Sequence, residues 1–202
     1  NGISTHVSAT VTTNSIDAAD EVLALAAEIG FTVEFGLPYE QTTSNKDIPA
    51  VKIYDETMRA FLKKILKYKA EGHPIFYSDS TYEYALSWPV SYDKKLLFEG
   101  EVPAGFKIIE CYMGRYMCFV DGDGLVYPCG QLIGQFPALN FMEVGFKKAW
   151  ENLALNKKCK TCYCPCFTEF NQLYGLKLNV IGSNAKREMK NIFKKTKRAG
   201  GR

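Results

Sequence analysis

The 7 cysteines of this 202-residue chain constrain its fold more than any other feature, because all of them lie between Cys111 and Cys166. Four of them fall within eight residues, in the run Cys159-Lys-Thr-Cys-Tyr-Cys-Pro-Cys166. Secreted disulfide scaffolds are usually short and carry an even number of cysteines. An odd number confined to one segment instead indicates a reducing compartment, and we expect the protein to be cytoplasmic.

The spacing of the cysteines indicates two half-sites for a metal. Cys111 and Cys129 flank a predicted hairpin. Cys159 and Cys162 form a Cys-x-x-Cys pair further along the chain, where a tight loop would let both side chains project from the same side. Four thiolates are the ligands that zinc or a [4Fe–4S] cluster requires. A disulfide pair or free cysteines packed as small hydrophobes are the alternatives, but neither explains the density of the second group. Positive charge that would offset the thiolates comes from Lys157, Lys158 and Lys160.

Composition limits the remaining classes of function. A net charge of +3 is too small to indicate a nucleic-acid or membrane partner. No run reaches the roughly 18 apolar residues that a membrane span needs. The segment that starts at Asn1 has no basic start and no apolar core, so it is no signal peptide. It also lacks an initiator Met, as expected of a processed protein or of part of a longer one.

The first hundred residues alternate between strand and helix patterns. Strands are predicted at residues 6–14, 31–37 and 75–77, and helices from residue 15 to Gly30 and over residues 55–71. This β-α-β-α-β order with short connections is typical of a parallel sheet or of part of a βα barrel. In a barrel, polar side chains at the carboxyl ends of the strands would line the active site.

The second half predicts a small α+β unit around the cysteines. The turn Asp121-Gly-Asp-Gly124 predicts a hairpin. A connector is expected over residues 90–107 and a helix from Asn140 to about Leu155. Further helical segments are predicted at residues 168–174 and, as a basic helix, at residues 183–197.

The cysteine segment resembles a known family. A cysteine, a hairpin, Asp123-Gly-Leu-Val-Tyr-Pro-Cys129, a helix with Trp150 and then Cys-x-x-Cys-x-x-x-Cys166 is similar to the auxiliary-cluster extension of radical S-adenosylmethionine (radical SAM) enzymes. That extension is called twitch in its shorter form and SPASM in its longer one. Because the second half-site is compressed and no further cysteine follows, the resemblance implies one auxiliary [4Fe–4S] cluster, as in twitch domains.

The resemblance also implies a domain organisation and a ligand set. Residues 1–95 would be the C-terminal half of a partial (β/α)6 barrel, residues 96–176 the twitch-type extension and residues 177–202 a basic C-terminal helix. The implied cluster ligands are Cys111, Cys129, Cys159 and Cys162, with Cys166 as the leading substitute. Contacts to SAM would come from strand ends, at Thr12, Asn14, Glu34, Pro38, Tyr77 and Ser78.

The sequence contains no Cys-x-x-x-Cys-x-x-Cys loop, which in this family holds the SAM-cleaving cluster. The chain is therefore expected to be the C-terminal part of an enzyme and inactive by itself. SAM, a second [4Fe–4S] cluster and a reductant such as ferredoxin or flavodoxin are expected in the full-length protein. The substrate would be a peptide, a sugar or a small metabolite. The alternative function is a zinc-ribbon-like module, structural or binding nucleic acid through the basic helix, although such a helix is more often a solvated face.

Overall fold

The structure, a computed structural model, describes residues 5–36 and 53–199, with side chains as far as Met189 in the last helix. Its buried apolar side chains form two cores. Leu23, Ile65 and Trp88 belong to the first, which surrounds the N-terminal helices. Val126 and Leu153 belong to the second, which surrounds the cysteines.

The N-terminal unit contains two parallel strands, β1 (His6–Thr10) and β2 (Thr32–Gly36). Val7 lies opposite Val33 and Ser8 opposite Glu34, so the two strands share an apolar face and a polar face. The prediction that the first strand continues to residue 14 is wrong. The chain turns after Thr10 because the hydroxyl of Ser15 donates to the Thr10 carbonyl at 2.8 Å and accepts the N–H of Thr12 at 2.9 Å.

The two long helices of this unit form where helices are predicted and bury an apolar stripe each, although Ile29, expected at the end of the first stripe, is exposed. After a turn of 3-10 helix, helix α1 (Ala19–Ile29) buries Leu23 and Ala26, and helix α2 (Asp55–Ala70) buries Met58, Phe61, Leu62 and Ile65. These positions recur every three or four residues, which places them on one face. Gly30 ends α1 with a left-handed φ of 93° and an N–H bond to Ala26.

The third predicted strand is reduced to one parallel bridge between Ile75 and Val33. The chain then enters an unpredicted helix, α3 (Asp79–Leu86). Within the described residues the parallel sheet therefore has two strands and this bridge, without a closed barrel.

The predicted hairpin is confirmed at a shorter length. Strands β4 (Phe119–Val120) and β5 (Leu125–Tyr127) pair antiparallel. Strand β6 (Leu139–Asn140) pairs with the other edge of β5. A separate antiparallel pair joins β3 (Leu96–Phe98) to β7 (Cys159–Cys162). The prediction of a plain connector over residues 90–107 is therefore wrong at β3. The middle residue of β3, Leu97, packs into the first core.

The helix predicted from Asn140 to about Leu155 is broken into two. Helix α4 (Phe141–Val144) begins at Asn140, whose side chain accepts the N–H of Met142 at 2.9 Å. Helix α5 (Phe146–Asn156) follows after Gly145, which has a φ of 82° that no helical residue adopts.

The last two helices are longer than predicted. Helix α6 (Pro165–Tyr174) starts with a proline in its first turn, a favoured position because the missing N–H would have no partner there. Helix α7 (Leu178–Ala199) follows it. In the described part of the chain, no helix is both long and apolar enough to cross a bilayer.

Candidate metal centre

Strand β7 brings Cys159 and Cys162 to the same face of its sheet. In a regular strand, residues three apart point to opposite faces. Here Cys162 lies opposite Leu96 and Cys159 opposite Phe98, with Lys160 as an extra residue that forms a β-bulge. Leu96 and Phe98 are two residues apart and so lie on one face of the sheet, and their partners Cys162 and Cys159 both face the second core. Thr161 faces Tyr84 instead, and the hydroxyls of these two residues are hydrogen-bonded at 2.6 Å.

A glycine turn carries Cys111 to this face. Gly114 has a φ of 82°, and a Cβ there would lie 3.2 Å from Pro128 and 3.3 Å from Leu153. Its N–H donates to the carbonyl of Met117 at 2.7 Å, which closes the turn after Cys111. The absence of a side chain at Gly114 therefore allows the Cys111 turn to pack directly against the residue before Cys129.

Cys129 enters the site from the end of the hairpin. The tight turn is held by the N–H of Gly124, which donates to Asp121 at 2.9 Å. Gly124 has a φ of 86°, and a Cβ there would lie 2.7 Å from Asn140 Oδ1. The glycine five residues before the cysteine thus lets the hairpin pack against the start of α4. Strand β5 then leads to Cys129, which is buried.

The four thiols are electrostatic neighbours, although they come from three separate segments. The thiol of Cys159 donates toward Cys111, and with the charge of Lys157 it lowers the pKa of Cys111 to about 6 against the effect of burial. Burial, with a smaller contribution from a charge on Cys111, raises the pKa of Cys129 to about 12. The hydrogen bond to Cys111 is the largest cause that raises the pKa of Cys159, and burial is the next. For Cys162, burial raises the pKa most, followed by charges on Cys111 and Cys129.

Backbone N–H groups face three of these sulfurs in a repeated pattern. In each case the backbone N–H of the residue two positions later in the chain favours the thiolate. The three donor residues are Met113 for Cys111, Gln131 for Cys129 and Cys164 for Cys162. Leu132 adds a second N–H at Cys129. Amide donors at cysteine sulfurs tune metal–thiolate centres, because they stabilise negative charge on the ligand.

Of the three lysines around the second half-site, Lys157 is the one turned inward. It is partly buried, and its ammonium group donates to the carbonyl oxygens of Cys111 at 2.7 Å and Met113 at 2.8 Å. Lys158 and Lys160 are exposed, and Lys160 pairs with Glu99 at 3.4 Å. The charge compensation expected from all three therefore comes at close range from Lys157.

The other three cysteines do not share one environment, because Cys164 and Cys166 lie beside Cys162 whereas Cys118 does not act on the four thiols. Cys164 and Cys166 contact each other, with 3.7 Å between their sulfurs. Burial raises the pKa of Cys118, which belongs to the hairpin. Within the described residues, no three His, Cys, Asp or Glu side chains lie close enough together to hold one metal ion. The four neighbouring thiols are thus not a preformed cage for a single ion.

The donor set itself fits a thiophilic metal centre. Three of the four cysteines are buried, and no carboxylate is among the groups that shift the pKa values of the four thiols. Soft thiolates select zinc, copper(I) or iron–sulfur clusters. Because three of the thiols have raised pKa values, binding of such a centre must release protons.

The residues predicted to contact SAM are only partly brought together. Tyr77 donates to Glu34 at 2.7 Å, and Glu34 lies 3.9 Å from His6. Burial and this hydrogen bond raise the pKa of Tyr77. Thr12 and Asn14 lie instead in the turn after β1, and Pro38 lies outside the described residues.

Ser78 belongs to a buried network that sequence reasoning missed. The carboxylate of Glu169 in α6 accepts from the Ser78 hydroxyl at 2.6 Å, the Ser78 N–H at 3.1 Å and the Thr81 hydroxyl at 2.6 Å. Asn184 of α7 donates to its other oxygen at 2.7 Å. Glu169 therefore joins the start of α3 to the cysteine unit. The available signal was that Glu169 is the one charged residue of helix α6.

Comparison with known proteins does not extend this description. None of the protein-family models, curated proteins or solved structures compared with the chain matches it.

Proposed function

We propose that this chain is the C-terminal part of a radical SAM enzyme and that it holds one auxiliary [4Fe–4S] cluster on Cys111, Cys129, Cys159 and Cys162. The observation that supports this most is the convergence of these four thiols from a turn, a hairpin end and a bulged strand. Backbone N–H groups directed at three of the sulfurs add to it. Cys166 remains the substitute ligand.

The bound cluster would supply one-electron transfer or structural support, as expected of full cysteine ligation. The chain's own residues have separate tasks. Lys157 compensates the thiolate charge from the side of Cys111. Apolar neighbours, among them Leu96, Phe98 and Leu153, exclude water from the sulfurs. Exclusion of water limits hydrolysis and side reactions in centres of this kind.

The N-terminal unit would be the C-terminal half of a partial (β/α)6 barrel, with its polar face toward SAM and substrate. Glu34 and Tyr77 are the candidates that the structure brings together, and Glu34 is paired in register with Ser8 on that face. SAM, a second cluster and a ferredoxin or flavodoxin reductant complete the proposed enzyme. We propose a cytoplasmic location, in keeping with seven cysteines in the thiol form. The substrate class stays a peptide, a sugar or a small metabolite.

Reconstitution without oxygen tests the metal centre. The purified chain is incubated with ferrous iron and sulfide, desalted, and examined by visible absorption, electron paramagnetic resonance and metal analysis. We expect a brown protein with about four iron atoms per chain. With SAM and dithionite, the same sample should yield no 5′-deoxyadenosine, because the SAM-cleaving motif is not in this sequence. A colourless protein with stoichiometric zinc would overturn the proposal.

That zinc outcome would support the second candidate, a zinc-ribbon-like module, because four thiolates in two half-sites also suit tetrahedral zinc. Nucleic-acid binding through α7 has less support. Arg187 donates to the Phe76 carbonyl at 2.7 Å and lies 3.9 Å from the centroid of the Phe76 ring. One of the basic side chains of this helix is therefore used inside the protein.

A further inference from the structure

Cys164 and Cys166 form a pair of their own at the start of α6. Their sulfurs lie 3.7 Å apart, in van der Waals contact. Pro165 stands between them as the first residue of the helix, and its ring fixes the backbone φ of the link. The two thiols are thus held together by local chain geometry, whether or not a metal is bound nearby.

The two sulfurs differ in their access to solvent. Cys164 is 4% exposed, and its sulfur lies 3.5 Å from Nε2 of the buried Gln131, which donates to it. Cys166 is partly exposed. Cys166 is therefore the more exposed cysteine of the pair, and the Cys164 sulfur lies at contact distance from the Cys166 sulfur. This is the arrangement of an attacking thiol and a resolving thiol.

From this geometry we infer that Cys164 and Cys166 are a reversible dithiol–disulfide pair that reacts with low-molecular-weight disulfides such as glutathione disulfide. The inference goes beyond the proposed function, since it does not require a metal. The pair lies between two candidate sites. The N–H of Cys164 faces the sulfur of Cys162, and Cys166 lies near enough to Tyr77 for its thiolate charge to act on that phenol.

The exchange balances in two steps. The Cys166 sulfur, having lost its proton to solvent, attacks one sulfur of glutathione disulfide, so that a mixed disulfide forms and one glutathione thiolate leaves. The Cys164 thiol then attacks the Cys166 sulfur and expels the second glutathione, which takes up the proton that Cys164 gives up. Two electrons pass from the two cysteines to the oxidant, and the two released thiolates take up the two protons.

Peptide mapping tests the pair on the full chain. The iron-loaded protein is treated anaerobically with glutathione disulfide, alkylated with iodoacetamide and then digested with chymotrypsin. Cleavage after Tyr163 and Phe167 separates Cys162 from the peptide Cys164-Pro-Cys-Phe167. We expect this peptide to be two hydrogens lighter than its reduced form and to carry no alkyl group. Dithiothreitol serves as a control dithiol that the same glutathione disulfide must oxidise. If dithiothreitol is oxidised but the peptide is alkylated on both cysteines, the inference is overturned.

Single substitutions separate the two roles. Cys164→Ser should trap a glutathione adduct on Cys166, whereas Cys166→Ser should leave Cys164 unmodified by glutathione. Cys118→Ser is the matched control and should still form the Cys164–Cys166 disulfide. A disulfide from Cys162 to Cys164 would contradict the inference. If the protein binds no iron but the light peptide still forms, the proposed function fails while the dithiol pair stands.

Discussion

The ammonium group of Lys157 donates a hydrogen bond to the carbonyl oxygen of Cys111 across 2.7 Å. Lys157 lies two residues before Cys159, the first cysteine of the second half-site, and Cys111 belongs to the first half-site. One lysine thus holds the two half-sites together and places its positive charge beside a thiol. The hydrogen bond from Cys159 and, after it, the charge of Lys157 lower the pKa of Cys111 to about 6.

Lys157→Met should raise the pKa of Cys111 in the metal-free protein, because removing a nearby cation disfavours the thiolate. From a starting pKa of about 6, a rise of about one unit lowers the thiolate fraction at pH 6 about fivefold. The rate of Cys111 alkylation by iodoacetamide, followed by mass spectrometry from pH 5 to 9, measures this shift. Lys160→Met is the control, since Lys160 is exposed and pairs with Glu99. Identical profiles for Lys157→Met and wild type would contradict the prediction.

Gly124→Ala should destabilise the cysteine unit. A residue other than glycine at a φ of 86° costs about 1–2 kcal/mol, and the new Cβ would also lie 2.7 Å from Asn140 Oδ1 and 2.8 Å from Met142 Cε. Gly122→Ala is a matched control two residues away, because a Cβ there meets nothing within 4 Å. Thermal unfolding followed by circular dichroism should show a lower midpoint for Gly124→Ala alone. Equal midpoints for the two variants would contradict the steric explanation.

The sequence was sufficient to predict the elements whose signals are local. The stripe of Met58, Phe61, Leu62 and Ile65 is a helix period, and the turn Asp121-Gly-Asp-Gly124 is a hairpin signal. Strand β3 could not be found in this way. It has three residues, and its partner is β7, about sixty residues later in the chain. Short strands are specified by their partner more than by their own residues.

The cysteines show the same limit within the candidate site. The spacing predicted that Cys159 and Cys162 act together, but the expected reason was a tight loop. The structure has a strand in which the bulge at Lys160 restores a shared face. The contact of Cys164 with Cys166 depends on the backbone geometry at the start of α6, and the partners of Glu169 lie about ninety residues before it. Neither of these two interactions produces a repeating pattern in the sequence that could predict it.

Glu169→Ala should lower the free energy of unfolding by about 3 kcal/mol or more. The change leaves the Ser78 and Thr81 hydroxyls and the Ser78 N–H without their buried acceptor, and each unpaired buried group costs about 1–3 kcal/mol. Urea denaturation followed by tryptophan fluorescence measures the loss. Glu188→Ala, at an exposed glutamate that pairs with Arg187, should change stability by less than about 0.5 kcal/mol. A small effect of Glu169→Ala would show that the two units do not depend on this carboxylate.

Cys129→Ser and Cys118→Ser separate the candidate centre from the rest of the hairpin. Both substitutions exchange one sulfur for one oxygen close to β4 and β5, so their direct effects on packing are similar in kind. Serine is a poor ligand for a thiophilic centre. After identical anaerobic reconstitution, we expect Cys129→Ser to lose most of its iron and its visible absorption, whereas Cys118→Ser keeps both. Cys129 faces the charges of Cys111 and Lys157, while burial acts on Cys118. Equal iron content in the two variants would therefore mean that the hairpin end contributes no ligand, and the proposed four-cysteine centre would have to be abandoned.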